Sequence, residues 1–142
     1  MLVSFSVAVH VICAGHAPVH VYSFDRKIPV PPDNTVNGVP ATSADIGARH
    51  AGEIEYVFGT LDSVPHVTWE PQDRALSALM MTYWSNFAKN GNPSGRGVPD
   101  WPVYKAPGYQ VMHLDGGHSG AVRDTRRPRY EAIDAMTETL RK

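Results

Sequence analysis

Cysteine is almost missing from this sequence. Cys13 is the single one among 142 residues, which excludes an internal disulfide and any CxxC-type zinc or redox site. An excess of one charge sign is missing too. Thirteen Lys and Arg stand against 14 Asp and Glu, a formal −1, so electrostatics gives no reason to expect a nucleic-acid or acidic-surface partner. No apolar run approaches the roughly 18 to 20 residues that a bilayer-spanning helix needs, and no membrane span is expected. Charged residues are only 19% of the chain while hydrophobic ones are 42%, the balance of a chain with a core.

Turn formers, in contrast, are plentiful. Twelve Pro and twelve Gly rule out a simple helical bundle or coiled coil. Near the start, Val3, Phe5, Val7, Val9 and Val11 alternate strictly, as in a strand with one buried face. No Lys or Arg precedes that run, and His10 sits inside it and His16 just after it, so the strand reading is preferred to a secretory leader. Val19 to Phe24 is rich in β-branched and aromatic residues on both alternating faces, which predicts a strand covered on two sides. From Ile28 to Ala44 runs a long Pro- and Gly-rich connection without its own periodicity, a length that in compact domains is usually either functional or poorly ordered.

Ile54, Val57 and Phe58, with Gly59 as a stop, predict a short helix just after His50. A longer helix is predicted from Pro71 or Gln72 to Lys89, with Leu76, Leu79, Met80, Tyr83, Trp84 and Phe87 as its apolar stripe and Asn90-Gly91 as its end. Asn92 to Pro107 is turn-rich, and its Trp101 and Tyr104 are expected to pack it onto the body. Tyr109 to Leu114 reads as a short strand and Arg129 to Leu140 as a helix. Such an α/β or α+β mixture has too few strands to close its own sheet. Either the domain is unusually small or the rest of the sheet lies elsewhere.

Three blocks then recur in a fixed order: Gly47-x-x-His50-x-x-Glu53, the Trp84 to Pro93 block W-x-x-F-A-x-x-G-x-P, and Trp101-Pro102-Val103-Tyr104. Together they resemble the C-terminal third of the type-B carboxylesterases, the cholinesterase and para-nitrobenzyl esterase family. The likeness covers roughly residues 17 to 115. It implies an α/β fold, namely a C-terminal fragment of an α/β-hydrolase fold with an incomplete sheet and flanking helices. Residues 1–142 would then be a single partial domain.

By the same resemblance the reaction is carboxylic-ester hydrolysis, with a serine nucleophile passing the acyl group to water. The triad runs in chain order nucleophile, acid, histidine, so a C-terminal piece carries the histidine alone, and His50 holds its position. An imidazole suits that work because it titrates near neutrality and can both take and return a proton. No cofactor and no metal are implied. Implied partners are a small-molecule ester in the full-length enzyme and the N-terminal part of the same fold. No G-x-S-x-G elbow occurs; Gly117-His118-Ser119-Gly120 comes nearest, with Ala121 where glycine is required. The chain alone is therefore expected to be inactive.

Blander assignments stand beside these. His50 alone would read as a surface-loop histidine bonded to backbone, and Glu53 and Glu55 as structural carboxylates. His113, Asp115 and His118 could offer metal ligands across a turn, but no second half-site accompanies them. Pro18 argues against a helical His16/His20 pair. Arg123, Arg126, Arg127 and Arg129 read as a solvated turn, and Tyr83, Trp84 and Phe87 as core rather than a ligand wall. A different class of protein, a non-catalytic cholinesterase-like adhesion module, would keep the fold and lose the relay. A third, a small independent binding domain, would unfold cooperatively, whereas a piece of a larger fold would expose apolar patches.

Overall fold

A computed structural model of the chain describes residues 18–140. The alternating Val3–Val11 segment, with His10, Cys13 and His16, lies outside the described residues. The strand expected from Val19 forms only as β1, Tyr22–Phe24. It is shorter than expected because Val19 lies beside a loop: its carbonyl accepts from the Tyr104 amide at 2.7 Å. β1 runs parallel to β4, Gln110–Leu114, with Tyr22 opposite Met112 and Phe24 opposite Leu114. β4 then turns back into antiparallel β5, Gly120–Arg123, a strand the sequence reading missed.

The sheet order β1-β4-β5 leaves β1 at an edge. Met112 N bonds Val21 O and Asp25 N bonds Leu114 O, so the odd positions face β4. Strand alternation then directs the backbone groups of Tyr22 and Phe24 to the open side, where nothing among the described residues pairs with them.

One face of this sheet is covered by helices. α2, Ile54–Phe58, ends on Gly59 in the left-handed conformation, and α3 spans Pro71–Asn90 and ends on Gly91 in the same conformation. Pro71 is tolerated because a first-turn N–H has no intrahelical acceptor. Leu76, Met80 and Tyr83 of α3 bury their side chains with Tyr56, Met112, Leu114 and Trp101 in the core. Edge-to-face rings connect the layers, Tyr22 on Trp84 at 5.3 Å and Phe24 on Tyr56 at 5.2 Å. Ser23, on the face away from these helices, is buried, while Tyr22 and Phe24 on the helix side are partly so, and among the described residues no helix covers the Ser23 face. The opposite face joins the Ser23 hydroxyl, which donates to Asp25 at 2.7 Å, and His113, bonded to the same carboxylate, beside the buried Val111 of β4.

The long helix accounts for the second motif physically. Its Tyr83 hydroxyl donates to the Pro99 carbonyl at 2.9 Å, and Asn86 Nδ2 donates to the Pro93 carbonyl at 3.1 Å. Trp101, buried as expected, donates from Nε1 to the Val21 carbonyl at 3.2 Å. Phe87 departs from the core assignment. It is half-exposed and lines a hollow with His20, Tyr22, Tyr83, Trp84, Pro93 and Trp101.

Between β1 and α2 the chain makes its long excursion, and this carries local structure the periodicity did not reveal. Thr35–Val36 (β2) pairs with Val39–Pro40 (β3) around Asn37-Gly38, both at positive φ. A single helical turn, α1, Ser43–Ile46, follows, with Thr42 and Asp45 capping each other. At the other end, α4 covers Arg127–Leu140 and buries none of its residues. Its Ile133, Met136 and Leu140 stripe is exposed, Leu140 by 85%.

Candidate functional site

His50 sits near the end of that excursion, in the turn before α2, and its side chain is exposed. No hydrogen-bond or ion-pair partner of its ring is found among the described residues. Its immediate followers are tightly fixed. Ala51 has φ +59°, a left-handed conformation that costs an L side chain roughly 1–2 kcal/mol. Gly52 is buried, and a Cβ there would lie 2.5 Å from Ile28 Cδ1 and 3.0 Å from the Arg49 carbonyl oxygen. Only a hydrogen fits. The residue just past the histidine turn is thus packed directly on the first core residue of the excursion, Ile28.

Glu53 does not pair with His50. Its Oε1 lies 3.5 Å from the Tyr22 hydroxyl, at the outer limit of hydrogen bonding, so it faces β1. Burial, then the charge and hydrogen bond of Glu53, push the Tyr22 hydroxyl above its ordinary value. Tyr22 and Glu53 also border a wide apolar hollow between α2 and α3 lined by Ile54, Val57, Phe58, Met81 and Trp84. Phe58 is 72% exposed there.

The anchor of the excursion was not visible in the sequence. Asp73, in the first turn of α3, is fully buried. Its Oδ1 accepts from Arg26 Nε at 2.6 Å and from the Tyr56 hydroxyl at 2.8 Å, and its Oδ2 accepts from the Glu70 amide at 2.8 Å. Arg26 NH2 reaches Glu70 as well, at 2.5 Å. Burial works to raise the Asp73 carboxyl, but the bonds from Arg26, Tyr56 and the Glu70 amide outweigh it and hold the group below its ordinary value. Burial and the hydrogen bond to Asp73 drive the Tyr56 hydroxyl far up. Ser77 completes the join, donating to the Tyr56 carbonyl at 2.9 Å.

The histidines raised as metal ligands are placed otherwise. His113 bonds Asp25 across from β1 rather than Asp115 or His118. Asp115 instead has its amide and carbonyl engaged by Ser119. His20 Nδ1 is 3.0 Å from the Trp101 carbonyl oxygen. Of the arginines, Arg123 ends β5, and Arg127 lies 3.6 Å over the Tyr109 ring and bridges to Glu131.

A parallel strand pair with helices packed on one face fits a fragment of an α/β-hydrolase fold. Solved structures agree. A PNB esterase superposes with a TM-score of 0.59 at 29% identity, over 81% of this chain and 21% of its own. A thermophylic PNB esterase gives 0.61 at 28%, over 81% and 22%. The family profile described as carboxylesterase matches residues 1–133, and the chain belongs to the carboxylesterase family. Curated relatives include the acylcarnitine hydrolase of Rattus norvegicus, 39% identical over 63% of this chain and 15% of that protein. Carboxylesterase 5A of Mus musculus is 34% identical over 87% and 20%. The chain spans 15% of the length of the first of these relatives and 20% of the second.

Proposed function

We propose that this chain supplies the proton-carrying histidine, His50, to a carboxylic-ester hydrolase whose serine nucleophile and triad acid lie outside these 142 residues. Residues 1–142 are on this reading one partial domain, the C-terminal part of a carboxylesterase domain. His50 takes the serine proton as the ester carbonyl is attacked and returns a proton to the leaving alkoxide. The carboxylate orients the ring and stabilises the imidazolium. No cofactor or metal enters the scheme.

The observation that carries the reading is an exposed imidazole on a turn whose flanks are fixed to the body. It is supported by the edge of β1, unpaired among the described residues, and by the exposed Ile54, Phe58, Met81 and Phe87, surfaces that a larger fold would cover. Glu55 Oε2, buried without a partner among the described residues, points the same way.

The test is hydrolysis of para-nitrophenyl acetate by the purified chain. The expected rate matches an equal concentration of free imidazole and is unchanged in the serine variants Ser85→Ala and Ser119→Ala. Turnover far above that background, lost in His50→Ala, contradicts the proposal because the chain would then hold its own nucleophile.

A further inference from the structure

We infer that Asp73 is a positioning residue for His50: one buried carboxylate ties both ends of the excursion that carries the histidine to the first turn of α3. The inference rests on the proposed role of His50 for its consequence, though not for its geometry. Arg26 stands at the start of the excursion, two residues past β1, and Tyr56 is the first core residue after it, and both donate to the same oxygen, Asp73 Oδ1. The excursion leaves and returns at one point. Its other fixed contact, Ile28 against Gly52, lies just inside that staple and also joins the two ends.

The chemistry requires a carboxylate. Asp73 receives N–H or O–H donors on both oxygens, from Arg26, Tyr56 and the Glu70 amide. An amide in its place would turn an NH2 group toward one of those donors and leave the Arg26 charge without its buried partner. Closing a loop at its base lowers the entropy of everything between. For a proton carrier this matters: a displacement of about 1 Å from the reacting geometry can cost on the order of a hundredfold in rate. The Glu70 side chain, exposed at the rim, assists through Arg26, while its amide donates to Asp73 directly.

The experiment is amide hydrogen exchange, segment by segment, on the full chain and its Asp73→Asn and Tyr56→Phe variants. A staple predicts that residues 47–57 exchange about tenfold faster or more in Asp73→Asn, measured relative to residues 76–87 of α3. Tyr56→Phe, which removes one donor and keeps the Arg26 pair, should give a smaller rise of about fivefold in the same ratio. If loop and α3 accelerate by a common factor, Asp73 is a stability residue only and the inference fails. An unchanged ratio in Tyr56→Phe overturns it equally, including where Asp73→Asn does not fold. His50→Ala should leave the ratio as it is, so the staple and the role of the histidine stand or fall on separate results.

Discussion

Gly52→Ala isolates the packing that holds the histidine turn. The added methyl would sit 2.5 Å from Ile28 Cδ1 and 3.0 Å from the Arg49 carbonyl oxygen, both well inside van der Waals contact. Ile28 is buried in the core and Arg49 O is backbone, so neither can swing aside freely. Overpacking of this kind costs about 1–3 kcal/mol. Restricting the unfolded chain returns roughly 0.4–1 kcal/mol. The net, about 1–2 kcal/mol, should raise local opening of residues 47–57 about five- to thirtyfold, read by hydrogen exchange. Ile28→Val removes the Cδ1 methyl that the new Cβ meets, and alone costs about 1 kcal/mol. In the double variant the two effects should fall short of their sum by about 1 kcal/mol. Additivity within about 0.4 kcal/mol would refute the contact, because the clash would then not be with Ile28.

Other perturbations probe the rest of the account. Ala51→Gly relieves a left-handed alanine, so exchange in the turn should hold steady or slow, against the loss of about 0.5–1 kcal/mol that Ala→Gly causes at ordinary positions. Trp101→Ala should cost about 3–5 kcal/mol in β1 and the second half of α3, followed by local exchange; the Val21 carbonyl keeps its bond from Met112. A cost under about 1 kcal/mol would remove Trp101 from the centre of the core. In alkali the hydroxyls of Tyr22, Tyr56 and Tyr83 are all held above 10.0, Tyr83 pushed up to about 12 by burial and then by Asp100. Their contribution to stability is present below pH 10 and lost as pH rises toward 12, so phenolate absorbance and loss of ellipticity should rise together. Asp73 gives the acid counterpart: its depressed carboxyl contributes above pH 3.8 and the contribution is lost below it, which Asp73→Asn should abolish.

α3 was legible because twenty residues of helical periodicity, a proline at the start and a glycine at the end agree with one another. α2 was legible from Ile54, Val57 and Phe58 with Gly59. β5 was not, since four residues with one large apolar side chain, Val122, give no alternation to read. The β2–β3 hairpin carried an Asn-Gly turn signal, but its two-residue strands are exposed and too short to show an alternation. α4 shows the converse. Its apolar stripe predicted a helix, which forms, yet a stripe does not say what covers it. At the site, His50 was visible only through its neighbouring blocks. The Asp73 staple joins residues 47 and 17 positions apart, and a first-turn aspartate two residues after a proline looks like an ordinary cap. Local pattern carries no trace of such a meeting.

The most direct measurement uses a PNB esterase in which residues 18–115 of this chain replace the matching segment, so that nucleophile and acid come from the host. Hydrolysis of para-nitrophenyl acetate is expected, with kcat falling on the order of ten-thousandfold or more when His50 becomes Ala. Retention of most of the activity in that variant would contradict the account, because the proton would then be carried by another group.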